Sequence, residues 1–146
     1  MALWPAHDFA TYLAGTLTHP SPPGGSTVLT YAAGGNLLVG PVRPESPTVP
    51  VVCVFVEQSG GDSPMPYLGE AASFYVSQIT ATIRGGVDTF EAGEALARSI
   101  ITKMHATQSL TGYVYCLALA SDPVYTGTNE SGSHEWQAAF RVSAKK

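Results

Sequence analysis

The stretch that does most to decide the fold runs from Phe74 to Arg84 and reads FYVSQITATIR. Apolar side chains alternate with polar ones, so that Ile79, Ala81 and Ile83 would point to one side of an extended chain. A period of two is the pattern of a β-strand with one buried face and one polar face. The residues of the expected polar face are Gln78, Thr80, Thr82 and Arg84.

A helix is expected after this strand. Asp88 and Glu91 have the spacing of a capping box, in which each side chain satisfies a free backbone N–H of the other's residue. Apolar residues then recur every three or four positions, which predicts a helix over about 89–105. Its expected buried stripe consists of Ala92, Leu96, Ile100 and Met104, widened by Ala95, Ala97 and Ile101.

The N-terminal segment also has helical spacing. Pro5 suits the first turn of a helix, where its missing N–H costs nothing, and Phe9, Leu13 and Leu17 follow at intervals of one turn. We therefore predict a helix over about 6–17. The Pro- and Gly-rich run from His19 to Gly25 cannot continue it and predicts a loop.

The remaining apolar runs predict strands. The last of them, about 135–143, alternates with Trp136, Ala138, Phe140 and Val142 inward. The other expected strands are Val28–Tyr31, Asn36–Val42, Val51–Glu57 and Tyr113–Ala120, with long loops at Ser59–Gly69 and Thr126–Ser133. This order predicts one α+β domain over residues 1–146, a mainly antiparallel sheet with helices packed on one face.

Composition narrows the classes of protein. The chain has 146 residues, of which 12% are charged, and a formal net charge of −4. Soluble chains carry about 25% charged residues, so this surface is poor in charge and fits a subunit that packs against neighbours. Seven basic residues against eleven acidic ones argue against a free nucleic-acid-binding protein.

The N-terminus and the cysteines bear on location. No basic region followed by a long apolar core opens the chain, so we expect no signal peptide. The longest apolar run is Val51–Val56, too short to span a membrane, and no membrane association is expected. Cys53 and Cys116 are expected to be buried thiols in a reducing cytoplasm, and a disulfide requires that their strands be neighbours.

No catalytic, metal-binding or cofactor-binding constellation emerges, and we do not expect an enzyme. His134-Glu135 begins like a zinc-binding helix motif, but Ala138 stands where the second histidine belongs, and the segment alternates like a strand. The other histidines have no ligand spacing. They are His7, His19 and His105.

Two features invite an interaction role. The loop Ser59–Gly69 carries Met65, Tyr67 and Leu68, which are costly to expose and often dock onto a partner, although the loop could also be a plain connection. The polar strand face is nearly uncharged, which fits either a solvated surface or a contact face.

The order of short motifs resembles the phage minor capsid protein family whose members act as tail terminators in long-tailed phages. The resemblance covers about residues 36–146. Its motifs are NLLVGP at 36–41, the strand Val51–Glu57, SGG at 59–61, PYLG at 66–69, IRG at 83–85, the helix from Thr89, Asp122-Pro123 and the closing strand Trp136–Val142. The sequence departs from the family in a longer Pro-rich loop before Val51 and extra residues between Gly69 and Phe74.

The resemblance implies a structural role. Tail terminators form a ring, expected here to be a homo-hexamer, on the head-proximal end of the tail tube. The ring stops polymerisation of the tail tube protein and offers a docking surface to the head–tail connector or stopper protein, while DNA passes through the lumen without being read. The expected location is the virion tail or neck, and the host cytoplasm during assembly.

The resemblance also suggests where contacts lie. Met65, Tyr67 and Leu68 are the candidate interface with a neighbouring subunit or partner, and the polar face of Gln78, Thr80, Thr82 and Arg84 is the candidate lumen or ring face. A head-side connector, stopper or neck protein of the same size is the nearest alternative. A small ligand-binding domain or enzyme is a more distant one and would require an enclosed pocket.

Overall fold

The computed structural model describes residues 4–19, 25–32, 34–40, 52–66, 73–85 and 90–145. Within those ranges the chain forms two helices and nine strands. In chain order they are α1 (Pro5–Leu13), β1 (Gly15–His19), β2 (Gly25–Leu29), β3 (Leu37–Val39), β4 (Cys53–Gly61), β5 (Met65–Pro66), β6 (Ser73–Arg84), α2 (Phe90–Met104), β7 (Tyr115–Ala118), β8 (Val124–Thr128) and β9 (His134–Lys145).

Seven of these strands form one sheet around the long central pair β6 and β9. On one side of the pair, β4 and β5 run antiparallel to β6, and β3 extends the sheet parallel to β4. On the other side, β7 and β8 both pair antiparallel with β9. β1 and β2 form a separate antiparallel hairpin. The predicted α+β class with a mainly antiparallel sheet is therefore confirmed.

Both helices pack on the same face of the sheet. The register places Ile79 beside Phe140 and Ile83 beside Trp136 on that face. The ring of Phe9 in α1 lies 5.0 Å from the ring of Phe140. Helix α2 lies so close to Trp136 at Gly93 that a Cβ added to Gly93 would clash with the indole ring. Among the described residues, no helix covers the opposite face.

The sequence predictions hold best for the elements with strong periodicity. β6 and β9 alternate as expected, with the four predicted inward residues of β9 buried. Helix α2 falls within the predicted range, and its buried residues match the predicted stripe apart from half-buried Ala92 and an additional buried Gly93. Asp88, the expected cap, lies outside the described residues.

The prediction for the N-terminal helix is wrong at its C-terminal end. Helix α1 ends at Leu13, not at Leu17, because Ala14 already has an extended ψ of 141° and Gly15 follows with a φ of +125°, outside the helical region. Leu17 is still buried, but as an inward residue of β1. His19, predicted to open a loop, ends that strand.

The loop predicted over Ser59–Gly69 is partly strand. β4 continues past Glu57 to Gly61, with an irregular register after Gln58, and Met65 pairs with Phe74 in β5. The long strand β6 offers backbone partners that the Gly-rich sequence itself does not reveal. A flexible composition therefore did not prevent pairing.

Other boundaries shift by a few residues. The predicted turn Thr126–Ser133 begins later, because β8 runs to Thr128. Gly127 has a φ of +109° at a bulge in the pairing of β8 with β9. β2 begins at Gly25 and ends at Leu29, earlier at both ends than the predicted Val28–Tyr31, and β3 and β7 are each shorter than predicted.

Candidate interaction surfaces

The face of the sheet opposite the helices carries the four predicted polar residues. Gln78 and Thr80 are half-buried, whereas Thr82 is 2% exposed and Arg84 has a side chain 14% exposed. The register sets Gln78 beside Arg141 and Thr80 beside Ala139. The structure thus brings the predicted residues together on one face, and only its central part, around Gln78 and Thr80, is accessible.

Arg84 is fixed by an ion pair rather than displayed. Its Nε donates to Glu135 Oε1 at 3.2 Å, and its guanidinium lies 5.1 Å from the centre of the Phe55 ring. Both partners of the pair have side chains 14% exposed. The pair neutralises one end of this face. Sequence reasoning missed it because the two residues are 51 positions apart.

Replacing Glu135 with glutamine tests this ion pair. The change keeps the side-chain shape but leaves the largely desolvated guanidinium of Arg84 without its countercharge, so we expect the free energy of unfolding to fall by about 1–3 kcal/mol in urea titrations. Asp62→Asn is the control: Asp62 lies 3.7 Å from Arg141 on an exposed surface, and its loss should cost below about 0.5 kcal/mol. Equal effects of the two changes would contradict the structural importance of the Arg84 pair.

Of the three residues predicted to contact a partner, Met65 is the one that lies within the described residues. It lies in β5, on the side of the sheet where β4 runs, and is 52% exposed. The whole segment from Gln58 to Pro66 is exposed. Tyr67 and Leu68 lie outside the described residues, so their predicted contact role stays a prediction.

A group of exposed apolar side chains lies along β7 and β8, on the side of the sheet away from β5. Its members are 37–58% exposed although they are large and apolar. They are Val114, Leu117, Leu119, Val124 and Tyr125. Sequence reasoning identified a strand here but could not tell which side chains of a continuous apolar run would be exposed. We call this set the β7–β8 edge.

An aromatic cluster anchors the first turn of α2 to the sheet. Phe90, Tyr125 and His134 surround buried Trp136, with ring centres 5.1–6.2 Å apart. The Tyr125 hydroxyl and His134 Nδ1 are hydrogen-bonded at 2.9 Å. His134 therefore lies on a strand and is engaged in packing, in agreement with the strand alternation seen in the sequence.

The other histidines are dispersed over the fold. His7 Nδ1 pairs with the Tyr31 hydroxyl, His19 Nε2 lies 3.2 Å from Thr27 Oγ1, and His105 Nδ1 accepts a backbone hydrogen bond. Within the part of the chain that the structure describes, no group of three His, Cys, Asp or Glu side chains could hold a metal ion.

The two thiols are buried, free and far apart. Burial raises the pKa of Cys53 to about 11, opposed more weakly by the nearby charge of Arg84, and raises that of Cys116 to about 12. Both thiols are protonated at neutral pH and poor nucleophiles. β6 and β9 separate their strands, which at about 4.8 Å per strand keeps the cysteines at least about 14 Å apart, beyond the roughly 7 Å limit for a disulfide.

Three concave regions bounded by described residues are partly open to solvent. One, of about 220 Å³, lies between the β1–β2 hairpin and α2 and is lined by His19, Thr27 and Leu96 among others. Another, of about 470 Å³, lies beside His105 and the start of the β7–β8 connection. A third, of about 260 Å³, adjoins Gln78 and Val124.

Neither described helix is long and apolar enough to cross a membrane.

Comparison with known proteins adds no family assignment. No protein-family model matches this sequence, and no curated protein is significantly similar to it.

Proposed function

We propose that this chain is a structural subunit of a phage virion, a tail terminator that forms a hexameric ring on the head-proximal end of the tail tube. The order of short motifs in the sequence supports the family, and the surface of the fold supports assembly. The proposed partners are further copies of the chain, the tail tube protein and the head–tail connector or stopper protein, and DNA passes through the lumen.

The observation that carries the proposal is a group of exposed apolar side chains at one edge of the sheet, the β7–β8 edge, together with one exposed apolar residue, Met65, on the opposite side. Met65 is exposed on the β5 side, and the β7–β8 edge is exposed beyond β9. A ring of identical subunits needs two unlike patches, because each subunit meets its neighbours through different surfaces on its two sides. Large exposed apolar side chains grouped at one edge are costly in a monomer and typical of contact surfaces.

The face opposite the helices suits the proposed lumen. Its accessible centre contains Gln78, Thr80, Gln137 and Ala139, all uncharged and half-buried. The arginines at its margins, Arg84 and Arg141, are each paired with a carboxylate. Since phosphate binding depends on available Lys and Arg side chains, a face of this kind would let DNA slide past without holding it.

Electron microscopy of particles from a phage with an early stop codon in this gene tests the proposal. We expect overlong tail tubes without heads, because nothing would cap the growing tube. Normal-length tails beside unjoined or leaking heads would instead assign the protein to the head side of the joint. Intact, infectious virions would overturn the structural role and favour a ligand-binding domain or an enzyme.

Complementation of the same phage locates the contact. Val124 is 58% exposed, so Val124→Glu should leave folding unchanged while placing a charge in the proposed subunit contact. We expect this variant to fail to restore normal tails. Thr128→Glu adds the same charge at an exposed polar position of the same strand and should restore them. Thermal unfolding establishes that both variants fold, and rescue by Val124→Glu would exclude the β7–β8 edge as a contact.

A further inference from the structure

The outer side of β7 is closed by the chain that follows α2. Ala106 N–H donates to Cys116 O at 2.7 Å, and Cys116 N–H donates to Thr107 O at 3.3 Å. The backbone pairing of Thr107 with Cys116 thus covers the middle of β7. The next backbone N–H on this outer side of β7 is that of Ala118. It donates to a side chain, His105 Nδ1, at 3.1 Å.

This last bond depends on the protonation state of one imidazole. A backbone N–H can donate only to a ring nitrogen that carries a lone pair, so His105 must be neutral with its proton on Nε2. Imidazole is the side chain whose charge changes between about pH 5 and 8. We propose that His105 is a pH-sensitive latch on the outer edge of β7, closed while Nδ1 accepts from Ala118 and opened when Nδ1 takes up a proton.

The position of His105 at the end of helix α2 favours its charged form. Helix α2 ends at Met104, immediately before His105, and the last carbonyls of a helix lack partners within it. A cation near these carbonyls is stabilised by the helix dipole. Neutral His105 can therefore accept from Ala118, whereas charged His105 has lost this bond and lies where the helix dipole favours a cation. The open state binds one more proton than the closed state, so the latch weakens as the pH falls.

The surroundings of His105 contain few competing charges. On α2, Lys103 donates to Leu13 O, and Arg98 pairs with Glu94 and with Asp122 of the connection after β7. On β7, the titratable groups are Tyr115 and the Cys116 thiol, whose pKa burial raises to about 12. The residues that line the cavity beside His105 are otherwise uncharged; they are Ile101, Thr102, Ala118, Leu119, Ala120 and Ser121.

The segment that forms the latch is also strained. Ala106 has a φ of +58°, and among the described residues it is the one non-glycine with a positive φ. The left-handed conformation costs an alanine about 1–2 kcal/mol. Opening would leave Ala106 held by its own bond to Cys116 O and would free one N–H at an exposed strand edge between Leu117 and Leu119, where another strand could pair. This latch follows from the fold and does not depend on the proposed virion role.

Native-state hydrogen exchange followed by NMR tests the latch. The amide of Leu119 is a matched internal control, because it donates to the backbone carbonyl of Ala139, which does not titrate. After correction for the intrinsic exchange rate, the protection of Ala118 should fall about two- to tenfold from about pH 7.5 to about pH 5, the effect of losing one hydrogen bond. Leu119 should change far less. Equal changes at the two amides, or none at Ala118, would overturn the proposal.

A variant and a spectroscopic measurement make the test independent of folding effects. His105→Gln supplies an amide oxygen that can accept the same bond and does not titrate, so the difference in Ala118 protection between the two pH values should vanish. The nitrogen chemical shifts of the imidazole in the unaltered protein report its tautomer directly. A proton on Nδ1 near neutral pH would also refute the latch.

Discussion

Phe140→Ala should lower the free energy of unfolding by about 3–5 kcal/mol, a large share of the 5–15 kcal/mol typical of a small domain. Phe140 is fully buried at the centre of β9, beside Ile79 of β6. Its ring also supports α1 through Phe9, 5.0 Å away. The truncation therefore removes apolar burial, opens a cavity between helix and sheet, and loosens the N-terminal helix together with the core. Urea unfolding followed by circular dichroism measures the loss.

Leu117→Ala is the control for this prediction. Leu117 lies on β7, one strand away from Phe140, but it is 37% exposed and leaves no enclosed cavity when shortened. Its cost should stay below about 1 kcal/mol. A double-mutant cycle with Phe9→Ala should give a coupling of about 0.5–1.5 kcal/mol for the aromatic pair. Additive effects of Phe9→Ala and Phe140→Ala would contradict the packing of α1 on β9.

Sequence reasoning located the central elements because their signals are local. The alternation in β6 and β9 and the helical stripe of α2 can each be recognised within a dozen residues. The end of α1 could not be placed, since Leu17 fits two patterns. It stands one helical turn after Leu13, and it also alternates with His19 in a strand whose partner β2 decides the outcome.

The candidate surfaces depended more on contacts between distant residues. The polar face of β6 could be predicted from the alternation alone. The ion pair that keeps the Arg84 side chain from solvent could not, because its partner Glu135 belongs to another strand. The apolar run of β7 predicts a strand without saying that Leu117 would be exposed. The acceptor role of His105 requires the chain after α2 to return beside β7, which no local pattern encodes.

Gly93→Ala should destabilise the protein, although alanine is normally about 1 kcal/mol better than glycine inside a helix. A Cβ at position 93 would lie 2.5 Å from Cζ3 and 2.7 Å from Cη2 of Trp136, and 3.3 Å from the Cα of Gly85. Trp136 is 1% exposed, and its ring is packed against Phe90 and Tyr125, so it cannot move aside at low cost. We expect a net loss of about 2 kcal/mol or more, because forcing extra volume into a packed core outweighs the gain in helix propensity.

The partner of the clash supplies the decisive control. Trp136→Phe shortens the ring that the new methyl group would meet, while on its own it leaves a cavity and lowers stability. In the double variant each change relieves the other, so its loss should be smaller than the sum of the single losses, by about 0.5–3 kcal/mol. A Gly93→Ala variant that is more stable than the unaltered protein would mean that α2 does not lie this close to β9. The close approach would also account for the absence of a side chain at this position of an otherwise regular helix stripe.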